Sequence, residues 1–219
     1  MKSIQGINSA TCPECKAVLN LEQIAPDLQM VYFQGSKISA KEFKMGDQIG
    51  QGGFASVYKG TYKGKPVAIK KLEFSVDSDS VAFTKAFNEF RREIYIMSSF
   101  VNDYSVKLHA ICLDPFSLIE ELCVHGDLYT LLHENDEFYL SWKMRIKMAQ
   151  NIAAGMYALH KSVPPVAHLD LKSPNILVCS LDENDAVCVK ISDFGISSQG
   201  AFQYIRHTDN PVWLAPEVI

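Results

Sequence analysis

The spacing of apolar and polar residues predicts strands in the first part of the chain and a long helix after them. Between Phe43 and Leu72, short β-branched and aromatic runs alternate with glycines and polar turns, as is typical of β-strands. A polar stretch at 77–80 then precedes a segment in which apolar residues recur every three or four positions, up to about Phe100. These positions predict one apolar helix face made by Phe83, Phe87, Phe90, Ile94 and Met97.

The second part of the chain predicts another long helix and several short strands. The helix is expected from Trp142 to His160, with Ile146, Ala149, Ala153 and Met156 on its common face. Strand-like segments are found at 106–113, 116–122, 176–179 and 187–191, the last two around a polar turn at 182–185. Because strands dominate early and helices later, we predict an α+β fold in two lobes.

Composition narrows the class of protein. The 219 residues are 47% hydrophobic and 21% charged, which favours a globular chain and argues against disorder. The net charge of −4 argues against a dedicated nucleic-acid binder. No apolar run reaches the ~18 residues of a membrane span, and residues 1–10 lack the pattern of a secretory signal. The six cysteines lie mostly in apolar runs, so we expect reduced thiols and a cytoplasmic location.

Residues 1–42 contain one feature with possible chemistry, the pair Cys12 and Cys15. A Cys-x-x-Cys pair supplies half of a zinc site, and no second pair or histidine pair follows at a suitable distance. A metal site, a plain turn and an interrupted module all stay open at this point.

A glycine-rich segment lies between two predicted strands and could close over phosphate groups, because glycines let the backbone approach a ligand closely. The segment consists of Ile49, Gly50, Gln51, Gly52, Gly53, Phe54, Ala55, Ser56 and Val57. A Rossmann turn is disfavoured, because the following residues predict a strand and not a helix. Glycine-rich hairpins are common, so this segment alone leaves nucleotide binding open.

Lys70 ends the apolar run that starts at Val67. Such a lysine can simply mark a chain leaving the core, but in a nucleotide cleft it would bind phosphate oxygens and need a carboxylate to hold it. Glu93, on the predicted first helix, is the candidate carboxylate. Its alternative interpretation is an ordinary charge on a solvated helix face.

The strongest pattern lies in the loop from His168 to Asn175, which contains Asp170 and Lys172. Asp193-Phe194-Gly195 and then Ala215-Pro216-Glu217 follow in that order. Phosphoryl transfer needs a carboxylate near the attacking hydroxyl, a cation on the γ-phosphate and oxygen ligands for Mg²⁺. This ordered set provides all three kinds of group.

From about Phe43 onward the chain resembles a eukaryotic protein kinase of the tyrosine-kinase-like group. Residues 23–28 and 180–184 further resemble the Roco, or leucine-rich-repeat, kinases. The resemblance implies a β-rich small lobe with one long helix at 43–120 and a partial helical large lobe at 121–219. Residues 1–42 would then be a segment leading into the kinase domain.

The resemblance also implies roles for the residues above. Gly50, Gly52 and Ala55 would cover the phosphates of ATP, Lys70 would pair with Glu93, and Asp170 would orient the substrate hydroxyl. Lys172 would balance the γ-phosphate charge, and its position is that of kinases acting on serine and threonine of proteins. The implied Mg²⁺ ligands are Asn175 and Asp193. Adenine would lie between Ala68 and Leu177 and bond the backbone of the hinge, which contains Glu121, Leu122 and Cys123. The positions of a regulatory stack of side chains are matched by Met97, His168 and Phe194.

Three residues depart from the kinase pattern. Ala55 replaces the third glycine of the loop. Leu169 replaces an arginine that would bind a phosphorylated activation segment, so phosphate at Ser197, Ser198, Tyr204 or Thr208 loses that partner. Glu120 stands at the back of the adenine pocket, where a carboxylate must find a donor or take up a proton. Lys70 is the nearest expected donor.

The chain ends two residues after Glu217, before the helices that form the base of the large lobe in such kinases. We therefore expect a truncated kinase domain. The leading function is ATP-dependent phosphorylation of serine or threonine in proteins. A catalytically weak pseudokinase or nucleotide-binding scaffold is the alternative, and a kinase for small metabolites is disfavoured by Ala215-Pro216-Glu217. The sequence leaves the oligomeric state open.

Overall fold

The computed structural model describes residues 9–11, 18–20, 33, 35–73, 80–134, 139–199 and 211–216. Several sequence predictions fall outside these ranges, namely those for Cys12, Cys15, 77–79, Tyr204, Thr208 and Glu217. Among the described helices, none is both long enough and apolar enough to cross a bilayer.

A six-stranded sheet forms the small lobe, in the order β3-β7-β8-β6-β5-β4. Its strands are β3 (Ser36–Ile38), β4 (Phe43–Gln51), β5 (Ala55–Tyr62), β6 (Lys65–Leu72), β7 (Leu108–Leu113) and β8 (Phe116–Glu121). A separate hairpin pairs β1 (Ser9–Thr11) with β2 (Val18–Asn20). Since β3 pairs with β7 in parallel, the sheet includes residues that precede the expected lobe boundary at 43.

Helix α1 (Ser80–Ser99) packs on one face of this sheet. The contact buries Phe90 and Ile94 of the helix against Leu118 of β8. The predicted apolar face of α1 is therefore largely correct, although Phe83 remains 40% exposed. The opposite face of the sheet has its own core, which includes Val67, Ile69 and Ile119.

The described part of the large lobe contains the helices α2 (Leu128–His133) and α3 (Trp142–Lys161) and short strand pairs. The strands are β9 (Val166–Ala167), β10 (Ile176–Val178), β11 (Val189–Ile191) and β12 (Ser198–Gln199). Strand β10 pairs with β11, and β12 pairs with β9. Short 3-10 turns occupy Ser173–Asn175 and Pro211–Trp213. The predicted two-lobed α+β architecture is confirmed.

The apolar face predicted for α3 is wrong for Ile146, Ala149 and Ala153, which are exposed, whereas Met156 is half-buried against the core. Ile146 is 57% exposed, and the buried side of the helix is instead formed by Met144, Met148, Asn151, Gly155 and Leu159. This side is selected because it packs on β11, and Gly155 allows the close approach. A Cβ atom at Gly155 would stand 2.7 Å from Cδ1 of Ile191.

Candidate active site

Lys70 joins three parts of the molecule through its ammonium group. Its Nζ donates hydrogen bonds to both carboxylate oxygens of Glu93 on α1, each at 2.8 Å. It also donates to Oδ1 of Asp193, just after β11, at 3.3 Å. The Glu93 side chain is 4% exposed, whereas that of Asp193 is 45% exposed. Glu93 therefore fixes the lysine from the interior, while Asp193 faces open space.

The charges of this group support one another. Burial alone would lower the pKa of Lys70, but Glu93, Asp193 and Glu120 raise it above its ordinary value. Lys70 is in turn the main cause that lowers the pKa of Asp193. Burial raises the pKa of Glu93, and Lys70 acts in the opposite direction. We conclude that Lys70 is charged and Asp193 ionised at neutral pH.

Glu120 lies on the same face of the sheet as Lys70. It is opposite Ala68 in the β6–β8 pairing, it is only 8% exposed, and its buried Oε1 has no hydrogen-bond partner among the described residues. The expectation that Lys70 would be the donor for Glu120 is wrong, because the ammonium donates to Glu93 and Asp193 instead. Burial, with the nearby charge of Glu93, raises the pKa of Glu120 to about 8. A protonated Glu120 avoids the cost of a buried charge without a hydrogen-bond partner.

The loop after β9 brings Asp170, Lys172 and Asn175 together. Lys172 Nζ lies 2.8 Å from Oδ2 of Asp170, and Asn175 Nδ2 donates to the same oxygen at 2.8 Å. Asn175 Nδ2 also donates to the Asp170 carbonyl at 2.9 Å. No described residue donates a hydrogen bond to Oδ1 of Asp170, so this oxygen can accept one from a ligand.

Backbone pairing connects this loop with Asp193. Ile176 pairs with Ile191 between β10 and β11, which sets Asn175 beside Ser192. Ser192 donates to the Asn175 carbonyl from its N–H at 2.9 Å and from its hydroxyl at 3.0 Å. Asn175 and Asp193 are thus held close to one another by two ordinary hydrogen bonds.

Buried His168 fixes the start of the loop. Its Nδ1 accepts a hydrogen bond from the N–H of Asp170 at 3.3 Å, so Nε2 carries the proton and donates to the Ser192 carbonyl at 3.0 Å. Burial lowers the pKa of His168, which favours this neutral form. Its ring contacts that of buried Phe194 at 5.2 Å, and Phe194 belongs to the same core as Met97.

Leu169 and Asp193 have left-handed backbone conformations, with φ of 69° and 62°. Non-glycine residues rarely adopt such angles, and they are concentrated at functional sites. Ser197, considered above as a phosphorylation site, is fully buried, and its hydroxyl donates to the His168 carbonyl at 3.0 Å. This serine therefore supports the loop and is closed to a modifying enzyme in this conformation.

The donor set fits a Mg²⁺ ion that is shared with phosphate groups. Asn175 uses its Nδ2 toward Asp170, which leaves Oδ1 as its remaining acceptor, and Asp193 adds a half-exposed carboxylate. No cluster of three or more His, Cys, Asp or Glu able to hold a metal was found among the described residues. Two oxygen-bearing side chains are few for a cage made only of protein, but they suit Mg²⁺, which usually binds through one or two protein groups plus phosphates and water.

The glycine-rich segment forms the turn between β4 and β5. The turn is closed by a hydrogen bond of 2.7 Å from the Gly52 N–H to the Ala55 carbonyl. A Cβ atom at Gly52 would meet only that carbonyl, at 3.5 Å, and one at Gly53 would meet no atom within 4 Å. Protein packing does not require glycine at these two positions, so the bare backbone is left for an approaching ligand. Ile49, Gln51 and Gly53 are exposed here, Ser56 is buried, and Gly50, Phe54, Ala55 and Val57 are half-buried.

The residues expected around adenine lie on both sides of the segment between the lobes. Ala68 is buried in β6, and Leu177 is half-buried in β10. Glu121 ends β8, and its N–H bonds the Lys107 carbonyl at 2.9 Å. The N–H of Cys123, in contrast, has no acceptor within the described part of the chain. A donor is therefore available in the segment where the resemblance expects adenine to bind.

Two side-chain contacts in this region were missed by the sequence analysis. Lys190 of β11 donates to both carboxylate oxygens of Glu121, at 2.6 and 2.7 Å, and the Sγ atoms of Cys123 and Cys179 lie 3.1 Å apart. A lysine inside an apolar strand was a signal that a buried partner exists. Nothing in the sequence indicated which residue that partner would be.

Comparison with known proteins agrees with this geometry. Residues 43–219 match the protein tyrosine and serine/threonine kinase family, so the chain belongs to that family. Protein kinases generally use ATP and Mg²⁺.

Its relatives in Dictyostelium discoideum confirm the Roco resemblance. The chain is 40% identical to probable serine/threonine-protein kinase pats1 and 42% identical to probable serine/threonine-protein kinase roco9, over 99% of its length in each case. It is 34% identical to cyclic GMP-binding protein C over 92% of its length. The matched regions are 7%, 6% and 8% of those proteins, so the chain spans less than a tenth of each of these three relatives.

Proposed function

We propose that this chain is an ATP-dependent kinase domain that transfers the γ-phosphate of ATP to serine or threonine of protein substrates. The observation that carries the proposal is the position of Lys70, which bonds Glu93 and Asp193 at once. A lysine fixed in this way presents a positive charge beside an open carboxylate, as binding of a metal nucleotide requires.

The proposed roles follow from which atoms remain available. Lys70 binds phosphate oxygens, and the backbone of the β4–β5 turn covers them. The N–H of Cys123 donates to the adenine ring, which packs between Ala68 and Leu177. When bound, Mg²⁺ neutralises phosphate charge, and Asn175 and Asp193 are its proposed protein ligands.

Asp170 is the proposed group that orients the attacking hydroxyl. Asn175 and Lys172 both contact its Oδ2, which fixes the orientation of the carboxylate. The other oxygen, Oδ1, can then accept a hydrogen bond from the substrate hydroxyl. Lys172 stands beside the forming bond, where its charge stabilises the transferring phosphoryl group. The place of this lysine favours serine and threonine as acceptors.

The remaining assignments are also proposals. We assign residues 1–42 to a segment leading into the kinase domain and 43–219 to the domain itself. A cytoplasmic location is supported by the four described cysteines Cys112, Cys123, Cys179 and Cys188, all of which are free thiols.

The test is Mg²⁺- and ATP-dependent phosphorylation of a generic protein substrate by the chain and by Asp170→Asn. We expect the substitution to lower the rate by about 10²–10⁴-fold with nearly unchanged ATP affinity, because the group acts mainly in the transition state. Asp103→Asn is the matched control, since this carboxylate is 77% exposed and forms an ion pair with Lys107 outside the proposed site.

The products separate the proposal from its alternative. Phosphoserine or phosphothreonine supports the proposal, and phosphotyrosine alone rejects the proposed acceptor. ATP binding without any transfer would favour a nucleotide-binding scaffold, for which Leu169 and the buried Glu120 are the specific observations. Equal rates for the chain and Asp170→Asn would reject catalysis by this loop.

A further inference from the structure

Two cysteines meet where the lobes are joined. Cys123 lies in the hinge after β8, and Cys179 directly follows β10 in the large lobe. Their Sγ atoms are 3.1 Å apart, closer than unbonded sulfur atoms normally pack, and both are free thiols. The backbones on either side are already tied together, because Val178 N–H donates to the Gly126 carbonyl at 2.8 Å. The two sulfurs are therefore held together by the fold itself.

We propose that Cys123 and Cys179 form an oxidation site for peroxide, and that the resulting disulfide links the hinge to the large lobe. The modification does not depend on the proposed kinase activity. Its effect on nucleotide binding rests on the proposed function, because the contact between the Cys123 N–H and adenine is part of that proposal.

The two thiols differ in exposure, and this sets the order of the reaction. Cys179 is half-buried, whereas Cys123 is buried, so peroxide reaches Cys179 first. The charge of Lys190 also favours the thiolate of Cys179, which is the reactive form. Cys179 therefore attacks the oxidant and Cys123 follows.

The reaction balances with hydrogen peroxide as the oxidant. The Cys179 thiol first loses its proton, and the thiolate attacks one peroxide oxygen, which breaks the O–O bond. The departing hydroxide takes up the proton that the thiol released and leaves as water, and Cys179 becomes a sulfenic acid. The Cys123 sulfur then attacks the Cys179 sulfur, the S–OH bond breaks, and hydroxide leaves as water with the Cys123 proton. Two thiols are oxidised to one disulfide, and one peroxide is reduced to two waters.

A disulfide here would change the hinge. The sulfurs must move together by about 1 Å to bond, and the hinge side of the contact carries the Cys123 N–H, which has no acceptor among the described residues. We expect the shift to displace that donor and to lower the affinity for Mg-ATP by about fivefold, as the loss of one hydrogen bond would.

Peptide mapping tests the site directly. The chain carrying Cys12→Ser and Cys15→Ser, which removes the other cysteine pair close in sequence, is treated with increasing hydrogen peroxide, alkylated under denaturing conditions and digested without reductant. We expect a cross-linked peptide containing Cys123 and Cys179, which disappears with dithiothreitol. Its absence at doses that oxidise other thiols would overturn the proposal.

Two variants make the test specific. Cys179→Ser should abolish the cross-link, whereas Cys188→Ser, a neighbouring buried cysteine, should retain it. A cross-link from Cys188 to either residue instead would reject the assigned pair. The mapping of the otherwise unchanged chain needs neither variant, so a folding defect in one of them does not remove the test.

Mg-ATP titration of the reduced and the oxidised chain tests the consequence. A loss of affinity that dithiothreitol restores supports the effect on the hinge. Equal affinities with a fully formed cross-link would reject that effect. If the reduced chain binds no ATP, the proposed function fails, while the mapping result still decides whether the oxidation site exists.

Discussion

Replacing Glu120 by glutamine should stabilise the protein, and more so as the pH rises. The side chain is 8% exposed with an unpartnered Oε1, and burial together with Glu93 raises its pKa from the ordinary 4.5 to about 8. Glutamine has almost the shape of the protonated acid but cannot ionise. Glu120→Gln therefore isolates the free energy of keeping this carboxyl protonated.

The direction follows from proton binding in the folded and unfolded chains. Below pH 4.5 both states hold the proton, and Glu120 imposes no pH-dependent cost. Between 4.5 and about 8 only the folded state holds it, so stability falls as the pH rises through this window. Each pH unit costs the wild type about 1.4 kcal/mol relative to the variant.

The expected difference is large enough to measure with confidence. Near pH 7.5 the variant should be more stable by about 3–5 kcal/mol, a sizeable part of the ~5–15 kcal/mol that holds a typical domain. Near pH 4.5 the two proteins should differ only by what the isosteric exchange itself causes. Glu134→Gln, at an exposed position, should show no comparable trend with pH.

Urea unfolding followed by circular dichroism, repeated from about pH 4.5 to pH 9, provides the measurement. Parallel stability profiles of wild type and Glu120→Gln would refute the reasoning. A variant that is less stable than wild type at neutral pH would mean that Glu120 is already ionised there and pairs with Lys70.

Three further predictions concern the cleft and the large lobe. Lys70→Met should abolish phosphate transfer and weaken Mg-ATP binding in a calorimetric titration, because it removes the ammonium group that bonds both Glu93 and Asp193. Gly52→Ala should leave the melting temperature nearly unchanged but weaken Mg-ATP binding, whereas Gly60→Ala should lower the melting temperature, since its Cβ would stand 2.2 Å from a side chain of the next strand. Asn151→Ala should cost about 1–3 kcal/mol in urea unfolding, because it leaves the buried Cys188 N–H, which donates to Oδ1 of Asn151 at 2.8 Å, without its acceptor.

Element positions were predictable because they depend on local patterns. The strands between Phe43 and Leu72 and the two long helices end within a few residues of their predicted bounds. The buried side of α3 was not predictable in the same way. Its sequence offers apolar residues on two sides, and the choice depends on β11, a strand that follows some 30 residues later.

In the candidate site, too, motif residues were predictable and contacts between distant residues were not. Lys70, Glu93, Asp170 and Asp193 were selected because phosphoryl transfer needs those groups in that order, and the structure brings Lys70 against two of them. Pairs without a motif were invisible, such as Cys123 with Cys179, which are 56 positions apart. Two residues so far apart in sequence are brought together only by the folded chain.

The structure also explains why Leu169 is compatible with an ordered catalytic loop. An arginine there would position the loop by binding a phosphorylated activation segment, and leucine cannot. Instead the Ser197 hydroxyl bonds the His168 carbonyl at 3.0 Å, and His168 bonds the Ser192 carbonyl at 3.0 Å. Ser192 in turn holds Asn175, which holds Asp170. Each link is a hydrogen bond between uncharged groups up to the last one, so the position of Asp170 does not depend on an added phosphate. In this chain, a series of buried and partly buried hydrogen bonds holds the loop without a phosphate group.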